Sequence, residues 1–436
     1  MTVTKDPAIR FNTQPFWRLN KLISFNLPAS RLVVETHNYA SLHIFQNKTP
    51  STCCYVYMKI GMVCFPTYGG SGVVATELGK ALAARGHQVH FISYNLPARV
   101  DIFNNNLFYH EVNVSTYPLF DYPPYETSLA SQMVNIVKNE KLDVLHVHYA
   151  IPHASAAIFA KQILAAEGIY IPVVTTLHGT DITLVGRDPL YEPVVSYSIK
   201  QSDVVTAVSQ SLRVDTYKHF NVQQKEIKVI PNFIDFSKFS KQKVEHFKKL
   251  IAPKGEHLIV HTSNFRKVKR VDDVVKIFAG IVKEVSAKLL LIGDGPERAN
   301  IEQLARELGV SACTSFLGKQ EAIDEILSVS DLFLLPSEQE SFGLAALEAM
   351  ACEVPVVSSN AGGISEMNLD GFSGFTCAVG DVDAMTKRSL EILSNPETLN
   401  KFKHQAYLQA KKFEIGNILP MYEEIYESLC TVNKLA

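Results

Sequence analysis

Short apolar runs alternate with amphipathic segments along most of this chain, and the alternation starts twice, at Met58 and again after Pro231-Asn232-Phe233. Nothing else in the sequence constrains the fold as much. A short apolar run, a glycine turn and a stretch of helical period read as a strand buried on both faces followed by its crossover helix, the repeating unit of a parallel sheet. In the first series, Lys59–Pro66, Gln88–Tyr94, Asp143–Tyr149, Pro172–Leu177 and Asp203–Val208 read as strands. Val74, Leu78, Ala81 and Leu82 recur at helical spacing after the first of them, and Gly86 ends that helix. In the second series, Leu258–Thr262, Lys288–Ile292, Asp331–Leu335 and Pro355–Ser358 read as strands, with a helix over Val271–Val285. The expectation is an α/β protein of two doubly wound, Rossmann-like domains, 58–230 and 231–410. Residues 411–436 form a helical segment with Tyr422, Ile425, Tyr426 and Leu429 on one stripe. A crevice between such domains faces the C-terminal ends of both sheets, where ligands of open α/β sheets bind.

Residues 1–57 stand apart. They carry six Lys and Arg against only Asp6 and Glu35 and show no sustained period. They read as a disordered or non-native leader, although a basic, acid-poor stretch also fits an organelle transit peptide. The net charge of −2 over 436 residues argues against a nucleic-acid footprint. No apolar run reaches the ~18 residues of a membrane helix. Seven cysteines without a Cys-x-x-Cys pair fit a reducing compartment, hence the cytoplasm, better than a disulfide framework.

Four motifs carry chemistry. Gly70-x-Gly72-x-x-Ala75 joins a strand to a helix, a place where backbone amides can meet a phosphate or carboxylate. A dinucleotide enzyme would want a carboxylate at the end of the second strand, where this chain has Ser93-Tyr94-Asn95. His146-Val147-His148 puts two imidazoles on one side of a strand and invites a metal-hydrolase reading. The doubly wound pattern counts against it, with His146 read as a packed core residue. His178 ends the next strand beside Gly179 and reads as functional. Arg266-Lys267-Val268-Lys269-Arg270 follows a strand end and suits an anion. Glu340 and Glu348 bracket a helix start whose Ser341, Phe342, Gly343 and Leu344 amides can face a phosphate or sugar hydroxyls. Ser71, Tyr149 and Thr176 offer hydroxyls at neighbouring strand ends beside the Gly69–Gly72 turn.

Arg266…Lys269, Gly293-Asp294-Gly295-Pro296-Glu297 and Glu340-x7-Glu348 together resemble the GT-B retaining glycosyltransferases of family 4, from residue 58 to near the C-terminus. Within that family, residues 69–79, 146–153, 175–181 and 263–270 look like the branch that glycosylates L-malate in bacillithiol biosynthesis. The resemblance implies UDP-N-acetylglucosamine as donor, L-malate as acceptor, retention of the α configuration, and no metal or other cofactor. By similarity, His178, Arg266, Lys269 and Glu340 form the catalytic set. Gly70, Arg266, Lys269, Glu348 and the amides of Ser341, Phe342, Gly343 and Leu344 hold the donor, and Ser71, Tyr149, Thr176 and His178 face the acceptor. Arg266 and Lys269 lie closer together than the Arg-x4-Lys of many members, so Lys267 or Arg270 can share the diphosphate. The partners implied are small molecules, not nucleic acid or membrane, and a homodimer stays open. So do a related transferase with an inositol phosphate or sugar phosphate acceptor, a His-x-His hydrolase and a non-catalytic nucleotide-sugar sensor.

Overall fold

The computed structural model of the chain describes residues 57–67, 69–100, 104–114, 121–242 and 245–433. The leader reading falls, except for Tyr57, outside the described residues. The first sheet contains β1 (Lys59–Val63), β2 (Gln88–Ser93), β3 (Leu107–Glu111), β4 (Val144–His148), β5 (Val173–Leu177), β6 (Val204–Ala207) and β7 (Ile227–Val229). Its order is β3-β2-β1-β4-β5-β6-β7, parallel throughout. The second sheet contains β8 (His257–Thr262), β9 (Ala287–Ile292), β10 (Thr314–Gly318), β11 (Leu332–Leu335), β12 (Val356–Ser359) and β13 (Gly374–Cys377). Its order is β10-β9-β8-β11-β12-β13, again parallel. Strand order reverses between β1 and β4 in one sheet and between β8 and β11 in the other, which opens a crevice at each reversal.

Four helices bear on the site: α1 (Gly70–Ala84), α2 (Gln210–His219), α3 (Leu344–Ala351) and α4 (Ile415–Asn433). One face of the first sheet buries Val63, Ile92, Leu145 and Val147 against the helices 125–136 and 155–166. The opposite face buries Met58, Ile60, Met62, Val144 and Val174 against α1 and α4. The apolar stripe of α4 therefore belongs to the core of the first half, with Ile418, Leu419, Tyr422, Ile425 and Tyr426 all buried there. An ion pair of 2.5 Å from Arg85 to Glu423 closes the edge of that contact. The sequence marked the stripe but not the surface it would cover.

The chain thus crosses between halves twice. The two crossings run side by side, with Ile234 N–H donating to Phe413 O at 2.8 Å and Ile415 N–H donating to Ile234 O at 2.9 Å. Among the described residues, no helix is long and apolar enough to cross a membrane.

Candidate active site

Depth along the strand decides which side chains reach the crevice. His146, His148 and His178 stack on one face of the first sheet, with ring centroids 4.5 and 5.0 Å apart. His146 is fully buried; Nδ1 meets Tyr426 Oη and Nε2 meets Thr176 Oγ1, each at 2.7 Å. Both of its nitrogens are therefore committed to the protein. His148 Nδ1 lies 2.8 Å from His178 Nε2, so one ring donates and the other accepts. Burial pushes His146 and His178 down to about 3, and both stay neutral near pH 7. Among the described residues, no group of three or more His, Cys, Asp and Glu is placed to hold a metal ion.

Thr176 does not reach the crevice. It is fully buried, and its hydroxyl bridges His146 and Thr206, the latter at 2.7 Å. Position 176 shares its face with His178 but lies two residues deeper in β5, where His146 and Thr206 take up its hydroxyl. The acceptor-facing role expected from the sequence is corrected on that ground.

Ser71 and Tyr149 do come together, Ser71 Oγ donating to Tyr149 Oη at 2.8 Å. Tyr149 has a φ of 89°, an unusual backbone for a large side chain, and its ring lies 5.3 Å from that of His178. The N-terminus of α1 beside them has no side-chain cap, and a Cβ on Gly70 would meet no atom within 4 Å. Gly72 is different: a Cβ there would lie 2.5 Å from Thr67 O, so the helix can start this close to the β1 end only with glycine.

Asp181 is a site residue that the sequence reading quoted without a role. Its carboxylate is buried and accepts from the backbone N–H of Ala150 at 2.9 Å, Gly179 at 3.0 Å and His178 at 3.3 Å. It ties the loops after β4 and β5 to each other. Burial raises its carboxyl to about 6 against the opposing pull of those amides.

In the second half, Lys269 Nζ donates to Glu340 Oε1 at 2.6 Å. Arg270 is paired within the half, its Nε and Nη2 both meeting Oδ2 of buried Asp273 at 2.6 Å. Arg266 and Lys267 point their side chains to solvent. Glu340 is fixed through its backbone, Gly363 N–H donating to Glu340 O at 2.9 Å. The phenyl of Phe342 is buried 5.5 Å from Phe413, so only its backbone can serve a ligand. Gly343 turns into α3 with a φ of 94°, and no side chain caps that helix. Glu348 lies in the second turn of α3 and lines a cleft with Val74 and Glu77 of α1 and with Arg99 and Lys238. Burial raises its carboxyl to about 7, Arg99 opposing the rise.

The two halves touch at Gly179. A Cβ on that glycine would lie 1.7 Å from Ser341 Oγ, so the loop after β5 sits directly on the loop before α3. A continuous row results: Ser71, Tyr149 and His178 from one half, then Ser341, Glu340 and Lys269 from the other. It offers neutral hydrogen-bonding groups on one side of the crevice and cations on the other. That division suits a neutral sugar flanked by a small polar acceptor and an anionic leaving group.

Two family models match consecutive stretches of the chain. A family model described as Glycosyltransferase Family 4 matches residues 68–238, and one described as Glycosyl transferases group 1 matches residues 242–409. N-acetyl-alpha-D-glucosaminyl L-malate synthase of Bacillus anthracis is 47% identical over 371 residues, covering 85% of this chain and 96% of that protein. Among solved structures, sucrose-phosphate synthase from Thermosynechococcus elongatus superposes with a TM-score of 0.72 at 18% identity, over 86% of this chain and 100% of that one. Anabaena Alr3699/HepE in complex with UDP and glucose gives 0.72 and 18%, over 85% and 100%. The sheet orders, the row of residues across the crevice and the extended match to a named transferase agree, and the chain belongs to the family 4 glycosyltransferases of GT-B architecture.

Proposed function

We propose that this glycosyltransferase moves N-acetylglucosamine from UDP-N-acetylglucosamine to the hydroxyl of L-malate, with retention at the anomeric carbon and without a metal, as the first step of bacillithiol biosynthesis. The 47% identity along nearly the whole length of a relative named for that product is the observation that carries the reading. Arg266 and Lys269 take the donor diphosphate, and their charge stabilises the departing UDP in place of an ion. Glu340 and the amides after it take the sugar, and Glu348 takes the ribose diol. The malate hydroxyl approaches from the leaving-group side, and a donor phosphate oxygen receives its proton. His178, held neutral, acts by hydrogen bonding beside the sugar and not as a cation. The open N-terminus of α1, with Ser71 and Tyr149, receives a malate carboxylate. A cytoplasmic setting accords with the free thiols of buried Cys64, Cys352 and Cys377. Sedimentation distinguishes a monomer from a homodimer.

A UDP-release assay across acceptors tests the proposal. L-malate is expected to give clear turnover, D-malate and inositol phosphate little, and excess chelator no loss. A preference for a phosphorylated acceptor would overturn the malate assignment. Activity lost in chelator and restored by magnesium or manganese would overturn the metal-free mechanism. Tyr149→Phe is expected to raise the malate KM more than the donor KM. Thr176→Val should act on stability instead, costing about 1–3 kcal/mol by leaving His146 Nε2 without its partner.

Glu348 makes donor binding pH-dependent. Its folded value of about 7 lies above its ordinary 4.5, so its contribution to stability is full below pH 4.5 and is lost as pH rises through 7. A diol needs the ionised carboxylate as acceptor, so donor binding gains over the same window. UDP is expected to bind about ten-fold more weakly at pH 6 than at pH 8 beyond its own titration. Glu348→Gln supplies that baseline, and calorimetry that finds the same pH dependence in both proteins would remove Glu348 from the ribose.

A further inference from the structure

We infer that Glu366 is a positioning residue for the transfer, holding the two catalytic loops in register by capping a helix of the opposite half. Glu366 belongs to the short helix Ile364–Met367 of the second half. Its carboxylate reaches the first half, accepting from Gln210 N–H at 2.8 Å through Oε2 and from Ser211 N–H at 2.7 Å through Oε1. Ser209 Oγ accepts from the next amide, Leu212 N–H, at 3.1 Å. The leading amides of α2 are thus shared between a side chain of its own half and a carboxylate from the other. A helix start leaves such amides without internal partners and carries positive partial charge, so an anion is favoured there.

The same segment also grips the catalytic loop. Gly363 N–H donates to Glu340 O at 2.9 Å, and a Cβ on Gly363 would fall 2.2 Å from Ser341 O and 2.7 Å from Ser209 Cβ. Residues 363–366 therefore touch α2 on one side and the Glu340-Ser341 loop on the other. Releasing α2 from Glu366 frees that loop to move away from Gly179, and with it Glu340 from His178. The contact is charged and solvent-exposed, which suits a latch that forms and breaks during turnover. Donor groups held only by the second half, the basic turn at 266–269 among them, would not feel the release.

This inference rests on the reading that His178 and Glu340 serve the transfer, and the test separates the two. In the full chain, Glu366→Ala is expected to lower kcat about ten-fold, a shift of about 1.4 kcal/mol. UDP affinity should change less than about two-fold, because UDP contacts the second half. Glu366→Gln keeps one acceptor and should lose about three-fold. Gln210→Pro removes one donor at the first helical position, where proline is accommodated, and Ser209 before it is already extended, with φ −157° and ψ 160°. It should lose about three-fold by itself and nothing further on top of Glu366→Ala, since the two changes break one contact. An unchanged kcat in Glu366→Ala, multiplicative losses in the double variant, or a parallel fall in UDP affinity would each overturn the proposal. If instead His178→Ala and Glu340→Ala kept full activity while Glu366 and Gln210 stayed coupled, the catalytic reading would fall and the latch would stand.

Discussion

Arg266→Ala and Lys269→Ala are each expected to lower kcat/KM by about 30- to 1,000-fold, the ~2–4 kcal/mol typical of removing a charged donor from a developing anion. Lys267→Ala, on the same short turn, serves as the internal control and should stay within about three-fold, as a solvated charge does. Arg270 is paired with Asp273, and the proposed function assigns the diphosphate to Arg266 and Lys269. Lys269 should be the costlier loss, because its removal also leaves the largely buried carboxylate of Glu340 without its 2.6 Å partner. Steady-state kinetics with saturating acceptor decides the matter: small and equal effects at all three positions would make the cluster an ordinary solvated surface.

Tyr426→Ala is expected to destabilise the first half by about 3–5 kcal/mol, the range for emptying a large aromatic site in a core. Tyr426 is fully buried and contributes both volume and a hydrogen bond to His146. Burial holds its phenol well above the ordinary range, so the hydroxyl stays protonated at every working pH. Tyr426→Phe isolates the second term and should cost about 1–3 kcal/mol, because His146 Nδ1 is then left buried without a partner. Denaturant unfolding followed with a probe in each half should show the transition of the first half moving and that of the second holding. Both variants within about 0.5 kcal/mol of the parent would mean that α4 lies on the sheet without supporting it.

Every strand legible in the sequence lies inside a sheet, and the four that were not legible, β3, β7, β10 and β13, are the four edges. The reason is physical. Central parallel strands are covered on both faces and read as unbroken apolar runs, whereas an edge strand such as Leu107-Phe108-Tyr109-His110-Glu111 is half exposed and mixed in character. The site divides in a similar way. Lys269, Glu340, Ser71 and Tyr149 stand out in the sequence because glycine turns and charges at strand ends mark a crevice. Thr176 was misplaced because closeness to a strand end does not give depth: it shares the face of His178, but two residues further back in β5 its hydroxyl is covered. Asp181 and Glu366 escaped because both act on backbone amides, and a single carboxylate carries no sign of which amides it will meet.

The packing of α4 against the first sheet has a consequence for the order in which the chain can mature on the ribosome. A nascent chain that has emerged as far as β7 has all seven strands of its first sheet but leaves Ile60, Val144 and Val174 on a face still lacking part of its cover. At about 5–20 residues per second, residues 415–433 follow on the order of 10–40 s later. The second half is made within that interval and needs no segment of its own from beyond it. The half that is translated first is therefore finished last, and during the wait its apolar face is the surface that chaperones would find.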